Sequence, residues 1–136
     1  MAEAARRVAT WRAAGERVAL ASGVFDLLHV GHARHLTGAR ARADHLVVGV
    51  SDDRAAAALE GPGRPVLPAG DRSRLVAALR SVDLVVVVEE PVADRLLAVL
   101  GPEVHPPAAG TLPDRVPEAP SSRELLARVR DRYAIP

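Results

Sequence analysis

Neither cysteine nor lysine occurs in this chain. Without cysteine there are no disulfides and no thiolate metal sites. Without lysine, every role that needs a lysine amine is closed, and the basic side chains of Lys+Arg type are all arginine. Aromatic residues make up only 2% of the sequence. Stacking platforms of the kind used by single-stranded nucleic-acid binders are therefore scarce, and Val, Leu and Ala must fill any core. A charge surplus is missing too: Lys+Arg 18 against Asp+Glu 17 gives a net +1. That leaves nothing to drive nonspecific binding to nucleic acid. No apolar run reaches the length a bilayer demands. Residues 1–15 carry Arg6, Arg7 and Arg12 but no apolar segment of the secretory kind, so no leader is read there. The expectation is a cytoplasmic protein with neither membrane nor nucleic acid as partner.

What is present fits one domain. A length of 136 residues and a hydrophobic content of 49% suffice for a single core. Residues 2–14 have helical spacing, with Ala4, Ala5, Val8 and Trp11 on one stripe and Gly15 as a stop. Trp11 is read there as a packing residue. Residues 18–21 form a short apolar strand, broken by Ser22-Gly23. Helices are predicted over 32–43 (Leu36 and Ala39 inward), 52–59, 71–80 (Leu75, Val76 and Leu79 inward) and 92–100. Strands are predicted over 45–50 and 84–88. Their continuous β-branched runs are typical of parallel strands covered on both faces. Alternation of strand and helix predicts an α/β fold, a Rossmann-like doubly wound parallel sheet in one small domain. Residues 61–65 are a loop by composition. Residues 105–120 hold five prolines and no periodicity, and are read as loop. Residues 121–133 form a C-terminal helix, capped by Ser121 or Ser122.

The chemistry concentrates in Ser22-Gly23-Val24-Phe25-Asp26-Leu27-Leu28-His29-Val30-Gly31-His32. This stretch follows the first strand and opens a helix. In open parallel sheets ligands bind at the carboxyl ends of strands, and helix N-termini suit phosphate. Gly23 is expected to make the tight turn and Gly31 to let a phosphate approach the backbone. His29 and His32, placed in an exposed loop region, offer donors for charge developing on nonbridging oxygens. A zinc site lacks its usual partners here, since there is neither Cys nor a His-Glu-x-x-His pattern.

Residues 23–32 closely resemble the His-x-Gly-His signature of the cytidylyltransferase-like nucleotidyltransferase superfamily. The Asp-Leu-Leu-His form looks like the glycerol-3-phosphate cytidylyltransferase and heptose-1-phosphate adenylyltransferase branches. Residues 45–53 resemble the family's second strand and its acidic turn, and residues 59–68, with Asp71-Arg72 and Leu75, the heptose branch's linker and next helix. Residues 81–86 resemble the third strand. The resemblance implies an enzyme that moves a nucleotidyl group from an NTP, ATP or CTP, to a phosphorylated small molecule and releases pyrophosphate. ATP with a heptose 1-phosphate-like sugar phosphate is the preferred pair, CTP with glycerol 3-phosphate or another phosphate or phosphonate the alternative. It also implies Mg²⁺, to neutralise the triphosphate, and a homodimer. His29 and His32 would be catalytic. Ser22, Gly23, Val24, Phe25, Asp26, Gly31, Arg72, Arg115, Ser121 and Ser122 would bind nucleotide, with Arg72 holding this region or the phosphates. Asp52, Asp53 and Arg64 would bind the acceptor, and no residue is assigned to a metal.

Two departures stand out. Glu60 occupies a position where the heptose branch usually has Lys. A Lys-Gly-Gly-Asp-Tyr-like segment that follows the third helix in that branch is missing, and the chain there is shortened. They motivate a reading of another class, a degenerate domain that binds nucleotide or a protein partner without turnover. The intact histidine pair argues for the enzyme.

Overall fold

A computed structural model of the chain describes residues 1–89, 96, 98, 100 and 122–133. In order these form α1 (Ala2–Ala13), β1 (Val18–Gly23), α2 (Val30–Arg40), β2 (His45–Ser51), α3 (Asp53–Glu60), α4 (Ala69–Ala77), β3 (Leu84–Val88) and α5 (Ser122–Tyr133). Arg115, Ser121 and the 105–120 segment lie outside the described residues, as does most of the helix expected over 92–100. Its positions 96, 98 and 100 are helical.

The described strands form one parallel sheet in the order β1-β2-β3. Val18–Gly23 pairs with residues 45–50, and Val47–Ser51 with Leu84–Val88. β2 is central, and Leu46, Val47, Val48 and Val50 are fully buried in it. Burial of each such side chain stabilises by roughly 1.5–3 kcal/mol, which is why this strand reads as an unbroken apolar run. On one face, Val18, Leu20, Val47, Val86 and Val88 pack with Ala4 and Val8 of α1 and with Leu96 and Leu100. On the other, Ala19, Ala21, Leu46, Val48 and Val50 pack with Leu36 of α2 and Val76 of α4. Helices thus cover both faces, as expected for a doubly wound sheet. After β3 the chain crosses to the α1 face, and Arg12 Nη1 donates to the Leu100 carbonyl.

Several boundaries move, each for a local reason. β1 does not break at Ser22-Gly23, because both residues continue the ladder against Gly49 and Val50. α2 starts at Val30, two residues before its predicted start, since His29 serves as its N-cap. Asp52 lies outside α3 as its cap, accepting from the Ala55 N–H at 2.7 Å. α4 spans Ala69–Ala77 rather than 71–80. On it Val76 is buried and Leu79 packs on the core just past its end, but Leu75 is exposed, contrary to expectation. Trp11 does pack, by stacking on the His45 ring at 4.0 Å.

Candidate active site

The site grows from the carboxyl end of β1. Ser22 is fully buried there, and its hydroxyl has no hydrogen-bond partner among the described residues. Such orphans are uncommon in folded proteins and call for an explanation. The left-handed residue in the following loop is Phe25, at φ 52, while Gly23 stays in the strand. The tight turn thus falls on a bulky residue instead of the expected glycine. A non-glycine residue held in this region costs on the order of 1–3 kcal/mol and persists only where its surroundings enforce it. Phe25 is buried in the core and meets the His32 ring edge-on, with centroids 5.4 Å apart.

His29 and His32 lie together. Their rings stack at 3.9 Å. His29 Nδ1 accepts from the Gly31 N–H at 3.1 Å, and the His29 N–H donates to His32 Nδ1 at 3.3 Å. The two residues form a reciprocal capping box on α2. This has a chemical consequence. A neutral imidazole whose Nδ1 accepts must carry its proton on Nε2. Both rings are thereby fixed in the tautomer that donates from Nε2, at the positive end of a helix. Two expectations change. His32 is only 3% exposed and belongs to the first turn of α2, not to an exposed loop. The Gly31 N–H is engaged by His29 rather than left open for phosphate.

Asp26 holds the loop from the other side. It is buried, and its carboxylate accepts from Arg64 Nε, from the Val66 N–H at 2.8 Å and from the Leu67 N–H at 3.0 Å. Burial pushes the carboxyl pKa up. The backbone donors of Leu67 and Val66, with the Arg64 guanidinium, outweigh that and hold it below the ordinary value. Arg64 is therefore no open acceptor-binding group: its buried side chain pairs with Asp26 and lies 3.8 Å from Glu60. The carboxylate at position 60, where the resemblance expects lysine, completes this internal pair.

Arg72 has no solvent exposure at all. It donates to the carbonyls of Leu67 (2.9 Å), Val24 (2.7 Å) and Ser51 (2.8 Å) and to Asp53 Oδ1 (2.8 Å). Of its two expected roles, the geometry supplies the first: it ties the β1–α2 loop, the end of β2 and the 64–68 loop to one another. Asp53 also accepts from the Ala69 N–H, joining α3 to α4. Asp52 and Asp53 thus both serve the scaffold. Ser122 opens α5. Beside Asp52 lies a hollow of about 500 Å³ bordered by Arg54, Ala55, Ala58, Leu59 and Glu89. Arg54 and Glu89 escaped the sequence reading. The only signal for Arg54 was its place after the two aspartates, and Glu89 reaches the same edge through the β2–β3 pairing, which no local pattern reveals.

Comparison with known proteins adds three findings. A family model described as cytidylyltransferase-like matches residues 20–132. The bifunctional protein HldE of Gluconacetobacter diazotrophicus is 43% identical over 128 residues, 94% of this chain and 26% of that protein. HldE of Methylobacillus flagellatus is 46% identical over 98 residues, 72% of this chain and 20% of that protein. The chain therefore spans about a quarter or less of the length of these curated relatives. Among solved structures, a lipopolysaccharide core biosynthesis protein from Thermoplasma volcanium superposes with a TM-score of 0.54 at 28% identity, over 62% of this chain and 68% of that one.

Proposed function

The chain belongs to the cytidylyltransferase-like family, and from that premise we propose that it is a nucleotidyltransferase moving the adenylyl group of ATP to a heptose 1-phosphate-like sugar phosphate with release of pyrophosphate. The observation that carries the reading is the capping box of His29 and His32, which aims two Nε2–H donors from one helix end. The likeness to HldE over 94% of the chain favours the adenylyl branch over CTP and glycerol 3-phosphate.

An oxygen of the acceptor phosphate attacks the α-phosphorus of the NTP. The bond from that phosphorus to the oxygen bridging to the β-phosphate breaks, and pyrophosphate leaves with the electron pair. The acceptor oxygen is already anionic, so no base is required. The protein's task is to position the reactants and stabilise charge. The two imidazoles donate to phosphate oxygens as charge shifts toward the leaving group. Phe25 and Asp26 hold the loop that presents them, and the buried Ser22 hydroxyl is a further donor toward the nucleotide. Among the described residues no group of three His, Asp or Glu side chains could hold a metal ion. Mg²⁺ would belong to the triphosphate substrate, whose charge it would neutralise. A homodimer and a cytoplasmic location accompany the reading. No helix among the described residues is long and apolar enough to cross a membrane.

Pyrophosphate release, measured for each NTP with a panel of sugar phosphates and with glycerol 3-phosphate, tests the proposal. Release with ATP and a sugar 1-phosphate, slowed on the order of 10²–10³ in His29→Ala, is expected. Nucleotide binding without release for any pair would establish the non-catalytic reading in its place.

A further inference from the structure

Among the described residues, Arg64 and Arg72, the cationic side chains bonded to the loop, are internally occupied. Arg64 pairs with Asp26 and Glu60, and Arg72 with Asp53 and three carbonyls. Two anionic reactants must nevertheless meet at this edge, and their repulsion needs a cation that the fold has not already engaged. Arg54 meets that need. It is exposed, sits in the first turn of α3, and makes no hydrogen bond or ion pair among the described residues. Its side chain borders the hollow of about 500 Å³.

Where this hollow lies follows from the strand pairing. Gly23, at the end of β1, pairs with Val50, and Ser51 pairs with Val88. The Asp52 N–H donates to the Val88 carbonyl at 3.0 Å. Asp52 and Glu89 are thus neighbours at the carboxyl ends of β2 and β3, on the edge that carries Ser22 and the histidine loop at the end of β1. The walls combine an apolar side, Ala55, Ala58 and Leu59, with two carboxylates and one guanidinium. That mixture suits a small polyol phosphate: carboxylates accept from vicinal hydroxyls, the apolar wall covers a ring face, and arginine receives phosphate with a fork of donors.

We propose that this hollow is the acceptor subsite and that Arg54 is the residue that receives the acceptor's phosphate. The inference rests on the transferase reading for the identity of the acceptor, but its test does not depend on turnover. Titration calorimetry on the full chain should show binding of a sugar 1-phosphate to the wild type. Arg54→Gln should weaken that affinity roughly tenfold or more, and Arg54→Lys should recover part of it. ATP affinity should be the same in all three proteins. Unphosphorylated sugar and inorganic phosphate serve as separate arms, each expected to bind more weakly than the combined ligand. The proposal is overturned if Arg54→Gln binds the sugar phosphate within twofold of the wild type, or if neither sugar phosphates nor glycerol 3-phosphate bind the wild type. Arg54-dependent binding in a protein that never releases pyrophosphate would refute the transferase reading while leaving the subsite standing.

Discussion

The histidine pair makes two separable contributions, and one substitution can divide them. His29 caps α2 through Nδ1, and the proposed chemistry uses Nε2–H. Asparagine is among the best N-cap residues, and its side-chain oxygen takes over the acceptor role of Nδ1. It offers no donor where Nε2–H stands. His29→Asn should therefore keep stability within about 0.5 kcal/mol of the wild type, whereas His29→Ala should lose about 0.5–2 kcal/mol, the usual cost of a missing cap. Both should slow pyrophosphate release by on the order of 10²–10³, the effect of removing one donor from developing charge. Urea denaturation followed by circular dichroism supplies the first quantity, single-turnover release the second. The two predicted patterns differ: stability separates Asn from Ala, and rate does not. A His29→Asn protein turning over within a few-fold of the wild type would show that the ring is only a helix cap. Equal stability of all three proteins would show that the cap contributes nothing.

The same scaffold yields further expectations. Asp26→Asn removes the charge that holds buried Arg64 and should destabilise by about 3 kcal/mol, near the lower end for a broken buried pair because Glu60 remains 3.8 Å away; a change in denaturation midpoint equivalent to under 0.5 kcal/mol would contradict this. Because its folded pKa is lowered, Asp26 contributes stability that is fully present above the ordinary carboxylate value of about 3.9 and is lost as pH falls through the lower folded value. The wild type should therefore lose more stability than Asp26→Asn between pH 5 and acid, as melts across that range would reveal. Arg72→Lys keeps the charge but cannot span three carbonyls and a carboxylate, so a loss of roughly 2 kcal/mol or more is expected on urea denaturation. Ser22→Ala removes an orphaned hydroxyl and should leave the ligand-free protein as stable as before or more so, while weakening ATP binding; an unchanged thermal shift with ATP would remove Ser22 from the site.

How much of this was legible depended on the range of the interaction involved. The parallel sheet was readable because the strand at 45–50 is apolar on both faces, and that pattern has one common cause: cover by helices on both sides. The histidine loop was readable because strand, glycines, histidine pair and helix follow one another within eleven residues. What stayed hidden was the partnership of each charged group. Asp26 and Arg64 are 38 positions apart, Arg72 and Val24 are 48 apart, and nothing local distinguishes an arginine that will be buried from one that will face a ligand. The family resemblance assigned Arg64 to the acceptor and left Arg72 to hold either this region or the phosphates, and burial and hydrogen bonding make both part of the frame. Glu60 shows the same limit from the other direction. Taken alone it is a reversed charge that casts doubt on activity. In the fold it is the second carboxylate beside Arg64, so that guanidinium lies between Asp26 and Glu60 and turns inward. A lysine at position 60 would meet Arg64 as a like charge, and one of the two cations would be pressed toward solvent. The exchange at 60 therefore moves the available positive charge, and in this chain the exposed guanidinium that borders the hollow is that of Arg54.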